Sequence, residues 1–370
     1  MRLFYLPGVL SSGSNGVTWS WEDINLLPAL QELGVDVIPY KHPHGYEYSP
    51  EELAHEMTLL LDTVQAEHQR RPIDIFWAYV VNRNFDPQVA QEIRRLGIIT
   101  VHYSCNNTHQ FHLVDRIAPA FDLCAFSERP SVEKFAAIGA NPYWWPLAAN
   151  PHVYKPYDLP REHEVVFVGS AHRDRIEAID TLLRGGVRAE VWGRNWLPDA
   201  PRGPRALRLL RGLKQRLRHP RLAAAKARVA SVTHPPLNFE EMVRLFSRAH
   251  LTLDLSAAPI ELTPGGRRLL KVNLRDFEAT MCGACHMVEY TDEIAEHFQP
   301  GEEIVCYRSF PEMAELARYY LQHPHRAKAI RRRARRRAAR DHTWLRRWEA
   351  LFAELRLPRE RVWAGATANG

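Results

Sequence analysis

The sequence predicts an α/β protein with two Rossmann-like domains, and three features of its 370 residues support this prediction. Short β-rich runs alternate with amphipathic helical stretches, as in parallel sheets covered by helices on both faces. The alternation lapses in a proline-containing connector at 150–160 and then restarts. The chain is also about twice as long as a typical single domain. We therefore expect one sheet on each side of the connector.

The first half begins with a strand at 3–6, a turn-rich segment at 11–16 and a helix that Gly34 ends. A second strand follows at 35–40. The next helix begins at Ser49, where a serine N-cap, a proline and a glutamate form a capping-box pattern. Further strands and helices alternate along the chain at 74–81, 89–96, 98–103, 122–126 and 131–138.

The second half repeats this alternation after the connector. We predict domains at 1–155 and 156–345, a basic insertion at about 200–232, and a C-terminal helix and tail at 346–370. The segments that define the second set are 165–168, 176–183, 189–192, 239–249, 251–255, 278–282, 285–288 and 303–307.

Composition argues against a membrane-spanning or secreted protein. No stretch approaches the roughly 20 apolar residues that a membrane span needs, and Pro7 and Gly8 interrupt the apolar run at 3–10. Five cysteines, an odd number, favour a reducing cytoplasm. Cys282 and Cys285 form a lone CxxC without the second pair of ligands that zinc requires.

The first candidate site follows the strand at 166–168, which ends in Gly169 and Ser170 before a helix start. Backbone N–H groups in such a turn can approach a phosphate, and Arg173 and Arg175 can clamp it. The alternative is a tight turn with solvent-exposed arginines.

The second candidate site contains Arg275 and Glu278, preceded by a glycine-rich basic loop at 264–271 that ends in Lys271. A carboxylate at a helix start can accept both hydroxyls of a ribose, while the loop faces a diphosphate. The alternative is that Glu278 is only a favourable first-turn acid and Gly283 a helix C-cap.

These motifs resemble the nucleotide-sugar half of GT-B glycosyltransferases of the group 1 type, particularly the branch related to the spore-maturation protein CgeB. The resemblance rests on Phe277-Glu278, Gly283 and the strand that follows, and is close over about 270–350. Upstream it is looser, and the N-terminal third matches mainly in layout. It implies two Rossmann-like domains facing a central cleft, with a C-terminal helix crossing back.

The resemblance also implies roles for individual residues. Glu278 would hold the donor ribose, Gly169, Ser170 and Arg175 would face the diphosphate, and Trp192 and Gly193 would lie near the base. Arg173, Arg175 and Arg275 would stabilise the departing nucleoside diphosphate. On the acceptor side, we name as candidates Gly13, Asn107 and His109.

The implied activity is a hexosyltransferase-like reaction that uses a nucleotide sugar as co-substrate, with retention of configuration and no metal or other cofactor. Many relatives carry a second glutamate where this chain has Leu270, so donor-sugar contacts are expected to differ. The sequence also lacks an Asp-x-Asp metal motif. A nucleotide-sugar epimerase and a non-catalytic sugar-nucleotide-binding protein stay open as alternatives.

Two basic segments account for much of the net charge of +6. Residues 201–230 contain ten Lys or Arg and no acid, with leucines at helical spacing. Such a helix can lie on an anionic membrane surface, at the inner face of the membrane, or pack its leucines on the domain. Residues 330–340 contain seven arginines without interleaved aromatics, which argues against nucleic acid as a partner. The sequence does not identify the acceptor.

Overall fold

A computed structural model describes residues 1–8, 21–40, 48–196, 220–258 and 263–356. It divides the chain into two compact units, one formed by Met1–Asn150 with the segment that begins at Thr343, the other by Pro151–His342. The candidate Gly13 lies outside the described residues, as does 201–219 of the basic insertion.

The first unit contains a six-stranded parallel sheet with strand order β2-β1-β3-β4-β5-β6. Its strands are β1 Arg2–Leu6, β2 Asp36–Pro39, β3 Ile75–Ala78, β4 Ile99–Ser104, β5 Leu123–Phe126 and β6 Pro142–Trp144. Its described helices are α1 Trp21–Glu32, α2 Pro50–Arg70, α3 Pro87–Arg95, α4 Asn107–Gln110, α5 Val132–Ala137 and α13 Trp344–Glu354. Strands β1, β3 and β5 are mostly apolar and buried, as expected of strands covered on both faces, whereas β4 also buries Thr100, His102 and Ser104.

The predicted capping box at the start of α2 is confirmed. The backbone N–H of Glu52 donates to the Ser49 hydroxyl oxygen at 3.2 Å, and the N–H of Ser49 donates to the Glu52 carboxylate at 2.7 Å. Two N–H groups that the helix itself cannot satisfy are thereby paired, so the sequence sets the first residue of this helix locally.

The C-terminal helix α13 packs on the first unit, which confirms the prediction of a helix that crosses back. The indole N–H of Trp344 donates to the Asn25 side chain at 3.0 Å, and that of Trp348 donates to the Leu26 carbonyl at 3.2 Å. Trp348 also packs against Trp77, with ring centroids 4.6 Å apart. The helix begins at Trp344, two residues before the start expected from the sequence.

The second unit contains another six-stranded parallel sheet, with strand order β12-β11-β10-β7-β8-β9. Its strands are β7 His163–Val168, β8 Ala189–Trp192, β9 Thr233–His234, β10 Ala249–Leu253, β11 His286–Glu289 and β12 Val305–Tyr307. Its described helices are α6 Arg173–Arg184, α7 Pro220–Ala230, α8 Phe239–Arg248, α9 Leu274–Met281, α10 Asp292–His297, α11 Phe310–Gln322 and α12 Pro324–Asp341.

The CxxC pair lies inside the second unit. Cys282 and Cys285 are buried and not disulfide-bonded, and burial raises the pKa of the Cys285 thiol to about 12. Such thiols stay protonated at neutral pH and pack as small apolar groups.

Within the described ranges, no helix is both long and apolar enough to cross a membrane.

We predict that Gly193→Ala destabilises the protein by about 2 to 6 kcal/mol, because a strained φ and an overpacked site each cost about 1 to 3 kcal/mol. Gly193 has φ 153°, and a Cβ there would lie 2.1 Å from the carbonyl oxygen of Gly169. Chemical denaturation measures the change.

Gly186→Ala provides the matched control, since Gly186 has φ 78° but no atom within 4 Å of a built Cβ. It should cost only the backbone strain, about 1 kcal/mol. Equal losses in the two variants would contradict the close approach at Gly193.

Candidate functional site

The strand order of the second sheet indicates where a ligand binds. The chain runs outward from β7 through β8 to β9 on one side, then returns to β10 on the other side. Open α/β sheets bind ligands at the carboxyl ends of the two strands where this reversal occurs. Here those ends are the Gly169-Ser170 turn after β7 and the residues that follow Leu253 in β10.

The turn after β7 is fixed by its contacts with the end of β8. The N–H of Gly169 donates to the Trp192 carbonyl at 2.9 Å, and the Gly169 carbonyl accepts the indole N–H of Trp196 at 2.7 Å. Gly193 brings its backbone against the same carbonyl. Because the Gly169 N–H is already paired within the sheet, a phosphate at this turn would depend on other donors.

Arg175, in the first turn of α6, links the ends of β7 and β10. Its guanidinium donates to the carbonyl of Ser170 at 2.8 Å and to the carbonyl of Leu255 at 3.4 Å, and lies over the ring of Phe167. Burial lowers the pKa of Arg175, whereas the nearby Asp254 carboxylate raises it. Among the described residues, no carboxylate lies within ion-pair distance of Arg175.

Arg173 occupies a different position from Arg175, although only one residue separates them. Its side chain is 61% exposed and pairs with Glu177 along α6 at 3.5 Å. Residues two apart on a helix point in different directions, so only one of the two can face the strand ends. The structure thus gives Arg175, and not Arg173, contacts with the turn.

A buried hydrogen-bond network fixes the start of α9. The Asp276 carboxylate accepts the backbone N–H of Asn273 at 2.8 Å and lies 2.9 Å from Nε2 of His286. The Asn273 amide donates to Asp254 at 2.6 Å, and His286 Nδ1 lies 2.8 Å from the Thr252 hydroxyl. Burial raises the pKa of Asp276 to about 6, and the bond to His286 opposes this rise.

This network ties α9 to the ends of β10 and β11. Sequence analysis did not identify this network. The local signal was the spacing of Asn273 and Asp276, an N-cap and an acid three residues later. The partners Thr252 and His286 lie on strands and have no local sequence signal.

Glu278 and Arg275 form an ion pair on α9. Glu278 is buried, with one carboxylate oxygen accepting the Tyr154 hydroxyl at 2.5 Å and the other accepting Arg275 at 2.5 Å. Arg275 also lies over the Phe246 ring. A ribose at Glu278 would therefore share or replace the Tyr154 hydrogen bond. Tyr154 lies in the connector, and sequence analysis did not identify it as a partner of Glu278.

The basic loop before α9 is held on the end of β10. The N–H of Lys271 donates to the Ser256 carbonyl at 3.1 Å, and Leu269 accepts the N–H of Ala258 at 2.8 Å. Arg268 of this loop forms a bidentate ion pair with Glu289 at the end of β11 and contacts Asp174 at 3.0 Å. Two carboxylates thus neutralise Arg268, which anchors the loop.

Trp192, the candidate base-binding residue, is largely covered. Its ring stacks on His234 with centroids 4.4 Å apart, and His163 approaches it edge-on. Glu190 joins the two histidines, at 2.8 Å from His163 and 3.1 Å from His234. One face of the indole is therefore occupied by His234.

The acceptor-side candidates Asn107 and His109 lie on the short helix α4 after β4. Both are buried, and the Asn107 amide N–H donates to the Ser104 hydroxyl at 2.9 Å. The Asn107 side-chain carbonyl oxygen has no hydrogen-bond partner among the described residues. Lys134 donates to the backbone carbonyls of Asn107 and Thr108, which holds α4 against α5.

Glu22 is a buried carboxyl that sequence analysis did not identify. It lies at the start of α1, where its oxygens accept the Tyr5 hydroxyl at 2.9 Å and the N–H of Gly8 at 3.0 Å. Tyr5 and Gly8 belong to the carboxyl end of β1, next to the strand reversal of the first sheet. Burial raises the pKa of Glu22 to about 7, against the two hydrogen bonds that lower it.

We predict that Glu22→Gln reduces the pH dependence of stability. Because the folded pKa lies above the usual value of 4.5, the folded state binds more protons between about pH 4.5 and 7. The free energy of unfolding should therefore fall as pH rises through this range, by up to about 3 kcal/mol. Denaturation at a series of pH values measures the slope.

The exposed Glu133 on α5 provides the control. Glu133→Gln should retain the wild-type slope. An unchanged slope in the Glu22 variant would show that Glu22 does not titrate in this range.

The two six-stranded parallel sheets, with their flanking helices, define the GT-B fold. Residues 172–353 match the family model described as glycosyl transferase-like. No curated protein matches the sequence. The solved structures show the fold, and neither they nor the family match test the CgeB-related branch.

Solved structures extend the fold match over nearly the whole chain. Sucrose-phosphate synthase from Thermosynechococcus elongatus is similar with a TM-score of 0.57 and 14% identity, over 96% of this chain and 98% of that one. Anabaena HepE, crystallised with UDP and glucose, gives 0.58 and 12%, over 96% and 99%. AviGT4, a glycosyltransferase of avilamycin A biosynthesis, gives 0.56 and 17%, over 98% of each chain.

Proposed function

We propose that this protein transfers a sugar from a nucleotide-sugar donor to an acceptor, and that the donor binds at the carboxyl ends of β7 and β10. The observation that carries the proposal is the position of Arg175. Its guanidinium is held by the carbonyl oxygens of Ser170 and Leu255, so these bonds orient it without neutralising its charge. An oriented, partly buried cation is suited to bind a diphosphate.

The same arrangement suits the bond-breaking step. As the bond from the sugar C1 to the diphosphate oxygen breaks, the electron pair goes to the nucleoside diphosphate and the sugar becomes oxocarbenium-like. Arg175 would stabilise the charge that develops on the leaving group, assisted by the N-terminus of α6. Arg173 and Arg275 are weaker candidates for this role, because Glu177 and Glu278 already pair with them.

Other donor contacts follow from the sequence resemblance. The Glu278 carboxylate would accept hydrogen bonds from the ribose hydroxyls. It already accepts one from the Tyr154 hydroxyl, so the ribose and Tyr154 would share this carboxylate. Lys271 and the Gly169-Ser170 turn would lie along the diphosphate, and Gly193 with Trp192 beside the base. The HepE complex with UDP and glucose is consistent with a nucleotide-sugar donor.

Several finer features also belong to this proposal. The residues at 270–350 favour the CgeB-related branch, with retention of configuration. The sequence has no Asp-x-Asp motif, so arginines and helix N-termini would neutralise the diphosphate without a metal. Asn107 and His109 would contact the acceptor, and the odd number of cysteines favours the cytoplasm.

We predict that Arg175→Gln weakens binding of the nucleotide-sugar donor by roughly tenfold to a hundredfold, because charged hydrogen bonds contribute about 1.5 to 3 kcal/mol. Arg175→Lys keeps the charge but loses the two-pronged geometry, so its affinity should lie between that of the wild type and that of Arg175→Gln. Isothermal titration with UDP-, GDP- and TDP-sugars identifies the donor and measures each loss.

Arg188→Gln serves as the matched control. Arg188 lies just before β8, at the amino ends of the strands and away from the candidate site, and it pairs with Glu164. It should bind the donor as the wild type does. Full donor affinity in a folded Arg175→Gln protein would exclude this site.

The reaction itself is tested by product analysis with the donor that binds. Release of free nucleoside diphosphate together with a glycosylated acceptor identifies a glycosyltransferase. An isomerised sugar nucleotide would identify an epimerase instead, and binding without any product would identify a non-catalytic binding protein.

A further inference from the structure

Helix α12, Pro324–Asp341, carries a strongly uneven charge. It contains nine basic residues, and its one acid, Asp341, is the last residue of the helix. A stripe of small and aliphatic residues faces the unit and is buried: Ala327, Ile330, Ala334 and Ala338. The basic side chains therefore occupy the rest of the helix circumference.

Several of these arginines hold the helix on its own unit. Arg333 donates to the Glu302 carbonyl at 3.0 Å, and Arg337 donates to the His297 carbonyl at 3.1 Å. Arg335 contacts the Met281 sulfur, and burial lowers the pKa of both Arg331 and Arg335. Packing of their side chains on the unit and hydrogen bonds to backbone carbonyls explain why the chain has arginine at these positions.

A second set of basic residues has no such role. Lys328, Arg332 and Arg336 are exposed, and within the described part of the chain they make no ion pair or side-chain hydrogen bond. They recur every four residues, and the exposed Arg340 continues the row beside Asp341. Like charges at this spacing repel and destabilise a helix. We call these four residues the basic row.

We propose that the basic row binds the phosphate groups of an anionic phospholipid surface. From Lys328 to Arg340 the row is about 18 Å long, at 1.5 Å per residue, and its four positions span about 120° of the helix surface. Their long side chains can still reach one plane of headgroups. Each basic residue near such a surface strengthens binding roughly fivefold. The proposal is independent of sugar transfer.

The residues beside the row favour lipid over nucleic acid. The half-buried Ala329 and the exposed Ala339 lie between the cations, and no aromatic residue lies between Lys328 and Arg340. Single-stranded nucleic acids are typically bound with aromatic rings on which bases stack. A row that offers charge alone matches the charged headgroups of a membrane surface.

The test is co-sedimentation of the full-length protein with vesicles of phosphatidylcholine alone or with added phosphatidylserine. We expect binding only with phosphatidylserine, and weakening at high salt. The combined variant Lys328→Gln, Arg332→Gln and Arg336→Gln should bind roughly a hundredfold more weakly. Circular dichroism and unchanged donor binding would show that the variant is folded.

A matched variant removes the same amount of charge elsewhere: Arg83→Gln, Arg116→Gln and Arg184→Gln, all exposed and outside the basic row. It should sediment as the wild type does. A further variant neutralises Arg208, Arg211, Arg216 and Arg218, which lie outside the described residues.

Three results would overturn the proposal. The wild type could fail to bind anionic vesicles, or the basic-row variant could lose no more binding than the matched variant. Binding could also be lost only when the arginines at 208–218 are neutralised. Tight binding of a labelled RNA or DNA that depends on the basic row, without vesicle binding, would identify a nucleic-acid partner instead.

Discussion

The candidate site depends on how the guanidinium of Arg175 is held. Carbonyl oxygens at the ends of β7 and β10 accept its hydrogen bonds, so the side chain is oriented while its positive charge remains uncompensated by a paired carboxylate. Burial makes this charge costly, as the lowered pKa shows. An anion between the two strand ends would reduce that cost, and the proposed diphosphate carries the opposite charge.

Unlike Arg175, two other arginines of the candidate site form ion pairs with carboxylates. Arg268 is neutralised by Glu289 and Asp174, and Arg275 by Glu278. The start of α9 is fixed by Asp276, whose carboxylate joins the backbone of Asn273 to His286. These contacts keep Glu278 in one position, and they leave Arg175 as the cation best able to accept an anionic ligand.

Local signals in the sequence were sufficient for much of the fold. Alternating strands and helices indicated two parallel sheets, and the capping box at Ser49 defined the start of α2. Helical geometry also indicates that Arg173 and Arg175 cannot both face the strand ends, because residues two apart on a helix point in different directions.

The partners of the site residues were not predictable in the same way. Tyr154 lies 124 residues before Glu278, and Glu289 lies 21 residues after Arg268. Such pairs depend on how strands are ordered in the sheet, which no local pattern encodes. Glu22 was missed for a similar reason, because its partners Tyr5 and Gly8 meet it only after β1 and α1 have packed.

The central claim is that a sugar-bearing diphosphate binds between the turn after β7 and the end of β10. The most direct measurement is a crystal structure of the protein with the sugar nucleotide that titration selects. The account predicts diphosphate oxygens within hydrogen-bond distance of the Arg175 guanidinium and ribose hydroxyls at Glu278. A nucleotide bound at another place in the chain, with Arg175 contacting only Ser170 and Leu255, would contradict it.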